Sequence, residues 1–239
     1  MDKLYIVIPA YNEEANIAAT IADWYPVVEK HDGNGESRLL IIDDGSRDAT
    51  GSVLDEEAKN RPLMEVIHKE NSGHGPTILY GYKYACEAGA DFVFQTDSDG
   101  QTLSREFEPF WRQRVRFDMV VGRRAGRQDG LMRSAVSKTL SGMLFVMFGI
   151  RVDDANTPYR LMKAYRLNKA LQYIDEDEEL TNIMLSVIYK KLGWKVLYRD
   201  ITFRKRQGGR NSLDPGKIFD MGTASFKRFN ALAERLKRE

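Results

Sequence analysis

The sequence predicts an α/β fold with a mostly parallel central sheet and helices on both of its faces. Short apolar runs, rich in β-branched and aromatic residues, alternate with segments of helical periodicity between residues 4 and 97. Such alternation is typical of a parallel sheet, because each helix returns the chain to the edge where the next strand begins. The chain has 239 residues, 42% of them hydrophobic, which is enough to bury one large core.

The first strand is predicted at residues 4–8, an apolar run that is stopped by Pro9. A helix follows, because Ile17, Ile21 and Trp24 recur at the spacing of one helical face. The chain therefore opens with a strand, a loop and a helix.

The second strand is predicted at residues 39–42 and ends at two aspartates and a glycine, residues 43–45. Ser46 and Asp48 are candidate caps for a helix that runs to about Asn60. The same order of elements is thus repeated.

A third strand is predicted at residues 64–68, followed by a turn at 71–75 and a helix at 76–88. The fourth strand, residues 92–95, leads to Asp97. Each of these loops follows the carboxyl end of a strand, where ligands bind in open α/β sheets. Their polar residues are therefore candidates for function.

We predict one domain over residues 1–213 and an amphipathic basic helix over residues 214–239, because no repeat or low-complexity linker is visible before residue 213. Beyond Pro215, apolar residues form one stripe, which serves either core packing or a membrane surface. The stripe comprises Phe219, Gly222, Phe226, Phe229, Leu232 and Leu236, and the basic residues are Lys227, Arg228, Arg235 and Arg238.

The composition limits which partners and which cellular compartment we expect for the protein. Lysine and arginine number 36 against 35 acidic residues, so the net charge gives no reason to expect a nucleic-acid partner. Cys86 is the only cysteine, which excludes an internal disulfide, and a reducing cytoplasm fits best.

No signal-peptide core precedes Pro9, and the apolar run at residues 143–148 is far shorter than the roughly 18 to 20 residues that span a bilayer. We therefore expect any membrane contact to be peripheral, at the inner face of the cell membrane.

Asp97, Ser98 and Asp99 directly follow the fourth strand, with Gln101 two residues further on. Two carboxylates and an amide oxygen suit Mg²⁺ or Mn²⁺, which commonly share their coordination sphere with substrate phosphates. A cation here would neutralise charge on a departing diphosphate. A solvated acidic turn is the alternative for an isolated Asp-x-Asp triplet, but the position in this loop favours a metal site.

A second acidic pair, Asp43 and Asp44, follows the second strand. Such carboxylates can accept hydrogen bonds from a nucleobase or a ribose hydroxyl. Helix capping explains Ser46 or Asp48, but it leaves the aspartate pair unexplained. The first loop, residues 9–14, supplies an aromatic side chain to face a base and polar groups to read its edge.

A basic cluster follows a fifth predicted strand, and the segment that contains it has only one acidic residue, Asp129. Guanidinium groups suit bidentate contacts with phosphate, so the cluster predicts phosphate binding, with a solvated basic surface as the alternative. Its members are Arg123, Arg124, Arg127, Arg133 and Lys138.

Together these motifs resemble those of family 2 glycosyltransferases, enzymes of the GT-A fold. The chain is most similar to the polyprenol-phosphate branch, which includes dolichyl-phosphate mannosyltransferase and bacterial undecaprenyl-phosphate glycosyltransferases. The resemblance covers residues 4 to about 213 and includes the motifs at 9–14, 43–46, 71–75, 97–101, 122–123, 154–161 and 206–212. Where the branch usually has Ser-Gly-Phe, this chain has Thr157, Pro158 and Tyr159, so acceptor handling is expected to differ.

The resemblance implies roles for individual residues. The nucleotide would be held by Pro9, Tyr11, Asn12, Glu13, Asp43, Asp44, Asn71, Gly75, Asp97 and Ser98. Asp97, Asp99 and Gln101 would bind the metal, and Arg123, Arg133, Ser137, Arg206 and Ser212 would bind phosphate or the acceptor. Catalysis would rest on Asp97, Asp99, Arg123 and Arg133.

The activity implied is that of an inverting hexosyltransferase that moves a sugar from a UDP- or GDP-linked donor to a polyprenyl phosphate of the cell envelope. A membrane surface or a membrane protein would present this lipid. A phosphate acceptor is already anionic, so it needs no general base.

Two alternatives stay open. If the acceptor is a hydroxyl of a saccharide or glycolipid, a carboxylate must take its proton, and Glu178 or Glu179 is the candidate within the acidic run at 175–179. A solvated helix start also explains such a run. The third possibility is an inactive sugar-nucleotide-binding or scaffolding subunit. Oxidoreductases and P-loop enzymes are disfavoured, because their glycine-rich phosphate-binding motifs are missing.

Overall fold

A computed structural model describes residues 2–124, 131–204 and 215–237, without the side chains of residues 131–139 and 215–225. Within this part, seven strands form one mixed sheet in the order β3-β2-β1-β4-β6-β5-β7. The strands are β1 Leu4–Ala10, β2 Arg38–Asp43, β3 Met64–His68, β4 Phe92–Thr96, β5 Met119–Arg124, β6 Tyr159–Lys163 and β7 Val196–Ile201.

The helices connect these strands. They are α1 Ile17–His31, α2 Thr50–Ala58, α3 His74–Glu87, α4 Phe107–Trp111, α5 Leu131–Phe148, α6 Ala164–Leu171, α7 Thr181–Lys191 and α8 Pro215–Leu236, and a 3₁₀ turn at Ser104–Glu106 precedes α4.

Strand β1 lies at the centre of the parallel part of the sheet, between β2 and β4. Only β6 runs against its neighbours β4 and β5 within the described strands. The residues before β6 therefore reach the same edge of the sheet as the ends of the other strands.

Alternate residues of β1 face two apolar cores. Tyr5 and Val7 pack with residues of α3, α5, α6, α7 and α8 on one face. Ile6 and Ile8 pack with residues of α1, α2 and α4 on the other face. Because both faces are covered, nearly every residue of the central strands is apolar and buried. The predicted α/β class, a mostly parallel sheet with helices on both faces, is confirmed.

The four predicted strands are present within two residues of their expected ends, but three local predictions are wrong. Helix α3 begins at His74, because Gly73, with φ of 94°, completes the turn early. Gly122 and Arg123 lie within β5 rather than after it, since both pair with β7. Ser46 does not cap α2, because its hydroxyl accepts a hydrogen bond from the Asn12 amide.

Helix α8 packs on the domain over its described side chains. Phe229 and Leu232 are buried in the core shared with α7, and the Phe229 ring contacts Phe148 of α5. Phe226 of the predicted stripe is instead half exposed, while Phe219 and Gly222 lie outside the described side chains. No described helix combines the length and the apolarity needed to cross a membrane. The division at residue 213 stays a prediction.

Candidate active site

The loops after β1, β2, β3 and β4 meet at one edge of the sheet. These strands are parallel neighbours, so their carboxyl ends lie side by side. The segment before Tyr159 joins them, because β6 runs in the opposite direction. This edge is the one at which open α/β sheets bind ligands.

The first loop is fastened to the second by hydrogen bonds of the backbone. The Asn12 amide donates to Ser46 Oγ at 3.0 Å, and the Arg47 amide donates to Asn12 Oδ1 at 2.8 Å. Asn12 adopts a φ of 52°, which asparagine tolerates better than most residues. The Glu13 amide donates to Thr50 Oγ1, and the Tyr11 ring is left 41% exposed. The ring is thus accessible to a base.

Asp43 joins the second loop to β3. Its Oδ1 accepts from the Ser46 amide at 3.0 Å, and its Oδ2 lies 2.8 Å from His68 Nδ1. The hydrogen bond from Asp43 is the main cause of a raised pKa at His68, with Asp55 adding to it. The sequence analysis missed this partner, although Asp43 and His68 are opposite each other in the strand register.

Asp44 shapes the third loop. Its Oδ1 accepts from the Ser72 amide at 2.9 Å and its Oδ2 from the Gly73 amide at 3.0 Å, and it also pairs with Lys69. The Asn71 side chain donates to the Asp44 carbonyl at 2.8 Å. Asp44 is 3% exposed, so its buried carboxylate holds the backbone of the third loop in place. The nucleotide contacts assigned to Asp43, Asp44 and Asn71 stay predictions.

Gly75 marks a close contact between the third loop and the acidic run. A β-carbon at this position would lie 2.4 Å from the carbonyl oxygens of Glu178 and Glu179. Thr181 Oγ1 also donates to the Gly75 carbonyl at 3.0 Å. Glycine is therefore required here by packing, whatever its role toward the nucleotide.

The acidic loop after β4 is held by buried hydroxyl groups. Thr20 Oγ1 of α1 donates to the Ser98 carbonyl at 2.9 Å, and the hydroxyls of Thr96 and Thr102 lie 2.7 Å apart. Asp99 Oδ1 accepts from the Gln101 amide at 3.0 Å. The loop is thus fixed on both sides of Asp97 and Asp99.

The pKa of Asp97 is strongly perturbed. Burial, with the nearby charge of Asp99, raises its pKa to about 6, although His74 and Arg124 act in the opposite direction. His74 Nε2 lies 3.7 Å from Asp97 Oδ1. Ionised Asp97 therefore requires positive charge at this place, which a bound cation would supply.

The donor set fits a divalent cation that shares its ligands with a substrate. Asp97 and Asp99 offer carboxylate oxygens, while the described residues contain no group of three His, Cys, Asp or Glu side chains that could hold a metal alone. Mg²⁺ commonly takes one or two carboxylates and completes its shell with phosphates and water. The Gln101 side chain donates to the Arg204 carbonyl at 2.8 Å, and its role as a metal ligand stays a prediction.

Two adjacent arginines of β5 have different surroundings. Arg123 is exposed and bonded to Asp200 at 2.6 Å. Arg124 is only 10% exposed, forms two hydrogen bonds with Asp154 at 2.6 and 2.8 Å, and acts electrostatically on Asp97. Arg124, to which the sequence analysis gave no individual role, is therefore close enough to the acidic loop to act on Asp97. The side chains of Arg133 and Ser137, and the residues Arg206 and Ser212, lie outside the described part of the chain.

Arg160 was also missed by the sequence analysis. Its side chain is fully buried, and its guanidinium donates to the carbonyls of Ala155, Thr157 and Asn182 at 2.9 to 3.2 Å. These bonds fix the segment before β6, which holds Asp154. The sequence around Arg160 gave no indication of this role.

The two candidate bases differ in accessibility. Glu178 is 3% exposed, its Oε1 accepts from the Leu180 amide at 2.8 Å, and Arg228 lies 3.3 Å away. Burial is the main cause of its raised pKa. Glu179 lines an open groove of about 380 Å³ together with Ser72, Pro76 and Arg228. Glu178 is thus held by contacts with Leu180 and Arg228, and the base assignments of Glu178 and Glu179 stay predictions.

Comparison with known proteins identifies the family. The model of glycosyl transferase family 2 matches residues 5–169, which is more than half of the chain. The chain belongs to glycosyltransferase family 2. It is an enzyme of the glycosyltransferase class, as the motifs predicted.

The curated relatives agree with the predicted branch. One is an undecaprenyl-phosphate mannosyltransferase of Micrococcus luteus, 25% identical over 90% of this chain and 89% of its own length. Another is a polyprenol monophosphomannose synthase of Mycolicibacterium smegmatis, 26% identical over 89% of this chain and 82% of its own length. The resemblance to polyprenol-phosphate glycosyltransferases is confirmed.

Solved structures agree with the fold. Glucosyl-3-phosphoglycerate synthase from Mycobacterium tuberculosis, in complex with Mn²⁺ and UDP-glucose, superposes with a TM-score of 0.70 at 18% identity. The match covers 96% of this chain and 79% of that protein. The GT-A fold is thereby confirmed for this family 2 glycosyltransferase.

Proposed function

We propose that this enzyme transfers a sugar from a UDP- or GDP-linked donor to the phosphate of a polyprenyl phosphate, with inversion at the anomeric carbon. The observation that carries the proposal is the agreement with two relatives named for polyprenol-phosphate mannosyl transfer over 89 to 90% of the chain. The geometry of the candidate site supports it in three respects.

The first respect is the acidic loop. Asp97 and Asp99 would hold Mg²⁺ or Mn²⁺, which when bound neutralises charge on the departing diphosphate. Arg124 adds positive potential at the same edge, and its guanidinium is already oriented by Asp154. A group fixed before the reaction stabilises developing charge without reorganising.

The second respect is that a phosphate acceptor needs no general base. A phosphate acceptor presents an anionic oxygen at neutral pH, so the protein has only to align it with the anomeric carbon. Glu178, one of the two candidate bases, is occupied by the Leu180 amide and by Arg228. This arrangement favours a phosphate acceptor over a hydroxyl.

The third respect is an exposed apolar patch formed by Phe145, Val146 and Phe226, which are 50, 84 and 49% exposed. Phe145 and Phe226 each lie one helical turn from the contacting rings of Phe148 and Phe229, so the patch spans α5 and α8. Apolar side chains on helices with basic residues suit peripheral binding to a membrane. We infer that this patch brings the site to its lipid acceptor at the membrane surface.

A second candidate function is transfer to a sugar hydroxyl. The observation in its favour is the groove beside the third loop, where Glu179 lies with Ser72 and Pro76. In that reaction Glu179 would take the hydroxyl proton. An inactive binding subunit is a third candidate, which the intact acidic loop disfavours.

The test is an incubation with Mg²⁺ or Mn²⁺, a panel of UDP- and GDP-sugars, and a short-chain polyprenyl phosphate. Nucleotide release and glycolipid formation are followed together. Both signals are expected, and both should disappear when the metal is chelated. Nucleotide release that needs a saccharide instead of the lipid would replace the first function by the second, and silence across the panel would contradict both.

A further inference from the structure

A chain of buried polar side chains leads from the core to Asp97. Tyr82 of α3 donates its hydroxyl hydrogen to Asn182 Oδ1 at 3.1 Å. Asn182 Nδ2 of α7 donates to Gln95 Oε1 at 3.1 Å, and Gln95 Nε2 of β4 donates to Asp97 Oδ1 at 3.0 Å. We refer to Tyr82, Asn182 and Gln95 as the relay.

The relay lies in an environment that penalises polar groups. Tyr82 and Gln95 are fully buried and Asn182 is 3% exposed, among the apolar residues of α3 and α7. A buried amide without partners destabilises the folded state. Apolar residues of the same size would avoid this risk, so the polar residues need a reason beyond packing.

The direction of the bonds supplies that reason. Every donor in the relay points toward Asp97, and successive hydrogen bonds of one direction strengthen each other in a medium of low polarity. Burial and the charge of Asp97 act together to raise the pKa of Tyr82, so the two ends are electrostatically linked. The Asn182 carbonyl also accepts from Arg160 at 2.9 Å, which holds the middle of the relay in place.

We propose that the relay positions the Asp97 carboxylate for metal binding, with Gln95 and Asn182 as positioning residues. The inference rests on the proposed metal-dependent function. The relay occupies Oδ1, which also faces His74 at 3.7 Å, and fixes the carboxylate so that Oδ2 serves the cation. Groups that orient metal ligands typically change metal affinity by about 10- to 100-fold when they are removed.

The variants are chosen to separate positioning from stability. Gln95→Met keeps the length of the side chain and removes both hydrogen bonds. Asn182→Leu and Tyr82→Phe placed together with Gln95→Met give a triple variant in which all three relay residues are apolar, so no hydroxyl or amide of the relay is left buried without its partner. Tyr189→Phe is the matched control, because the Tyr189 hydroxyl lies in the same core on α7 and has no hydrogen-bond partner among the described residues.

The measurement is Mn²⁺ binding by electron paramagnetic resonance, with UDP or GDP present, alongside thermal unfolding. We expect Gln95→Met and the triple variant to bind Mn²⁺ at least about 10-fold more weakly than the wild type. The triple variant should recover melting temperature relative to Gln95→Met without recovering Mn²⁺ affinity. Tyr189→Phe should bind as the wild type does.

The outcomes that count against the inference are distinct. Wild-type affinity in the folded triple variant overturns the relay and leaves the proposed function intact. Recovery of affinity together with stability, or an equal loss in Tyr189→Phe, assigns the relay a packing role only and also overturns it. A wild-type enzyme that binds no Mn²⁺ with either nucleotide overturns the proposed metal dependence, and the relay's role with it.

Discussion

At the residue level, the two aspartates of the acidic loop have different environments although one residue separates them. Asp97 is bonded to Gln95 from the core side, and burial raises its pKa to about 6. Asp99 accepts a hydrogen bond from the Gln101 backbone and is more peripheral to the relay. The first is therefore suited to an oriented ligand and the second to a charge that completes the cation site.

We predict that Asp99→Asn weakens Mn²⁺-dependent binding of UDP or GDP by at least about 100-fold. The substitution keeps the size of the side chain but removes the charge that a divalent cation requires. Isothermal titration with and without Mn²⁺ measures the effect. Asp23→Asn, an exposed acid on α1, is the control and should bind normally. Equal binding by Asp99→Asn and the wild type would reject the metal assignment.

The ion pair of His68 and Asp43 predicts a dependence of stability on pH. The Asp43 hydrogen bond raises the pKa of His68 above its usual value in the folded protein. The contribution is therefore complete below the unfolded-state pKa of about 6.5 and is lost as pH rises through the raised value. We expect His68→Gln to remove this slope in urea unfolding above about pH 6.5.

The size of this effect is limited, because the His68 side chain is 44% exposed. Screening by water keeps such pairs to about 1 kcal/mol or less. His31 is the matched control, since burial is the main cause of a lowered pKa there. His31→Gln should leave the slope above pH 6.5 in place, and a slope unchanged in His68→Gln would contradict the assignment.

At the level of elements, helix α8 is attached to the acidic run by two arginines. Arg228 donates to the Asp177 carbonyl at 2.8 Å and lies 3.3 Å from Glu178. Arg235 pairs with Asp175 at 2.8 Å. The acidic run is therefore a docking surface for the basic helix, a role that the sequence analysis did not consider.

The two arginines should differ in their effect on stability. Arg228→Gln leaves Glu178 buried without its cation, so we expect a loss of about 1 to 3 kcal/mol in the free energy of unfolding. Arg235→Gln breaks a pair in which both side chains are more than a third exposed, so we expect about 0.5 kcal/mol or less. Urea unfolding measures both. Equal losses would show that the burial of Glu178 is not the deciding factor.

The contact of Gly75, in the first turn of α3, with the acidic run makes a further prediction. Gly75→Ala would place a methyl group 2.4 Å from two carbonyl oxygens, so the backbone must move, at a cost of about 1 to 3 kcal/mol or more. Gly142→Ala in α5 meets nothing within 4 Å and should stabilise the protein by about 0.5 to 1 kcal/mol. Thermal unfolding of the two variants should therefore shift in opposite directions, and shifts of the same sign would contradict the packing found here.

At the level of the whole molecule, the acidic loop and the exposed apolar side chains lie on different elements. The carboxyl edge of the strands holds the acidic loop, and the paired helices α5 and α8 hold the exposed patch of Phe145, Val146 and Phe226. Under the proposed function, the acidic loop would bind the sugar donor and the patch would contact the lipid surface that carries the acceptor.

We predict that Val146→Ser together with Phe226→Ser lowers binding to vesicles that contain phosphatidylglycerol by about 10-fold. The physical reason is the loss of apolar area that would enter the interface. Co-sedimentation with vesicles measures it, and nucleotide binding should be unchanged. Val115→Ser is the control, because Val115 is 70% exposed but lies after α4, away from the patch. Undiminished sedimentation of the double variant would reject the patch as a membrane contact.

Local sequence patterns were sufficient to predict the fold class, the family and the loops that form the site. Strand and helix periodicity act over a few residues, so residues 4–97 could be assigned to elements directly. The parallel order then required the loops at 9–14, 43–46, 71–75 and 97–101 to meet at one edge. These conclusions depend on local patterns and on a general rule of sheet topology.

Which side chains form hydrogen bonds and ion pairs with one another became apparent only in the folded chain. The relay joins Tyr82, Gln95 and Asn182, the last two being 87 positions apart, and nothing in their local sequence distinguishes them from ordinary polar residues. Likewise, the choice between Arg123 and Arg124 depends on which face of β5 each occupies, and the role of Glu178 on the approach of α8. Burial and hydrogen bonding are properties of contacts between distant segments, so they follow from the packed chain and not from any segment alone.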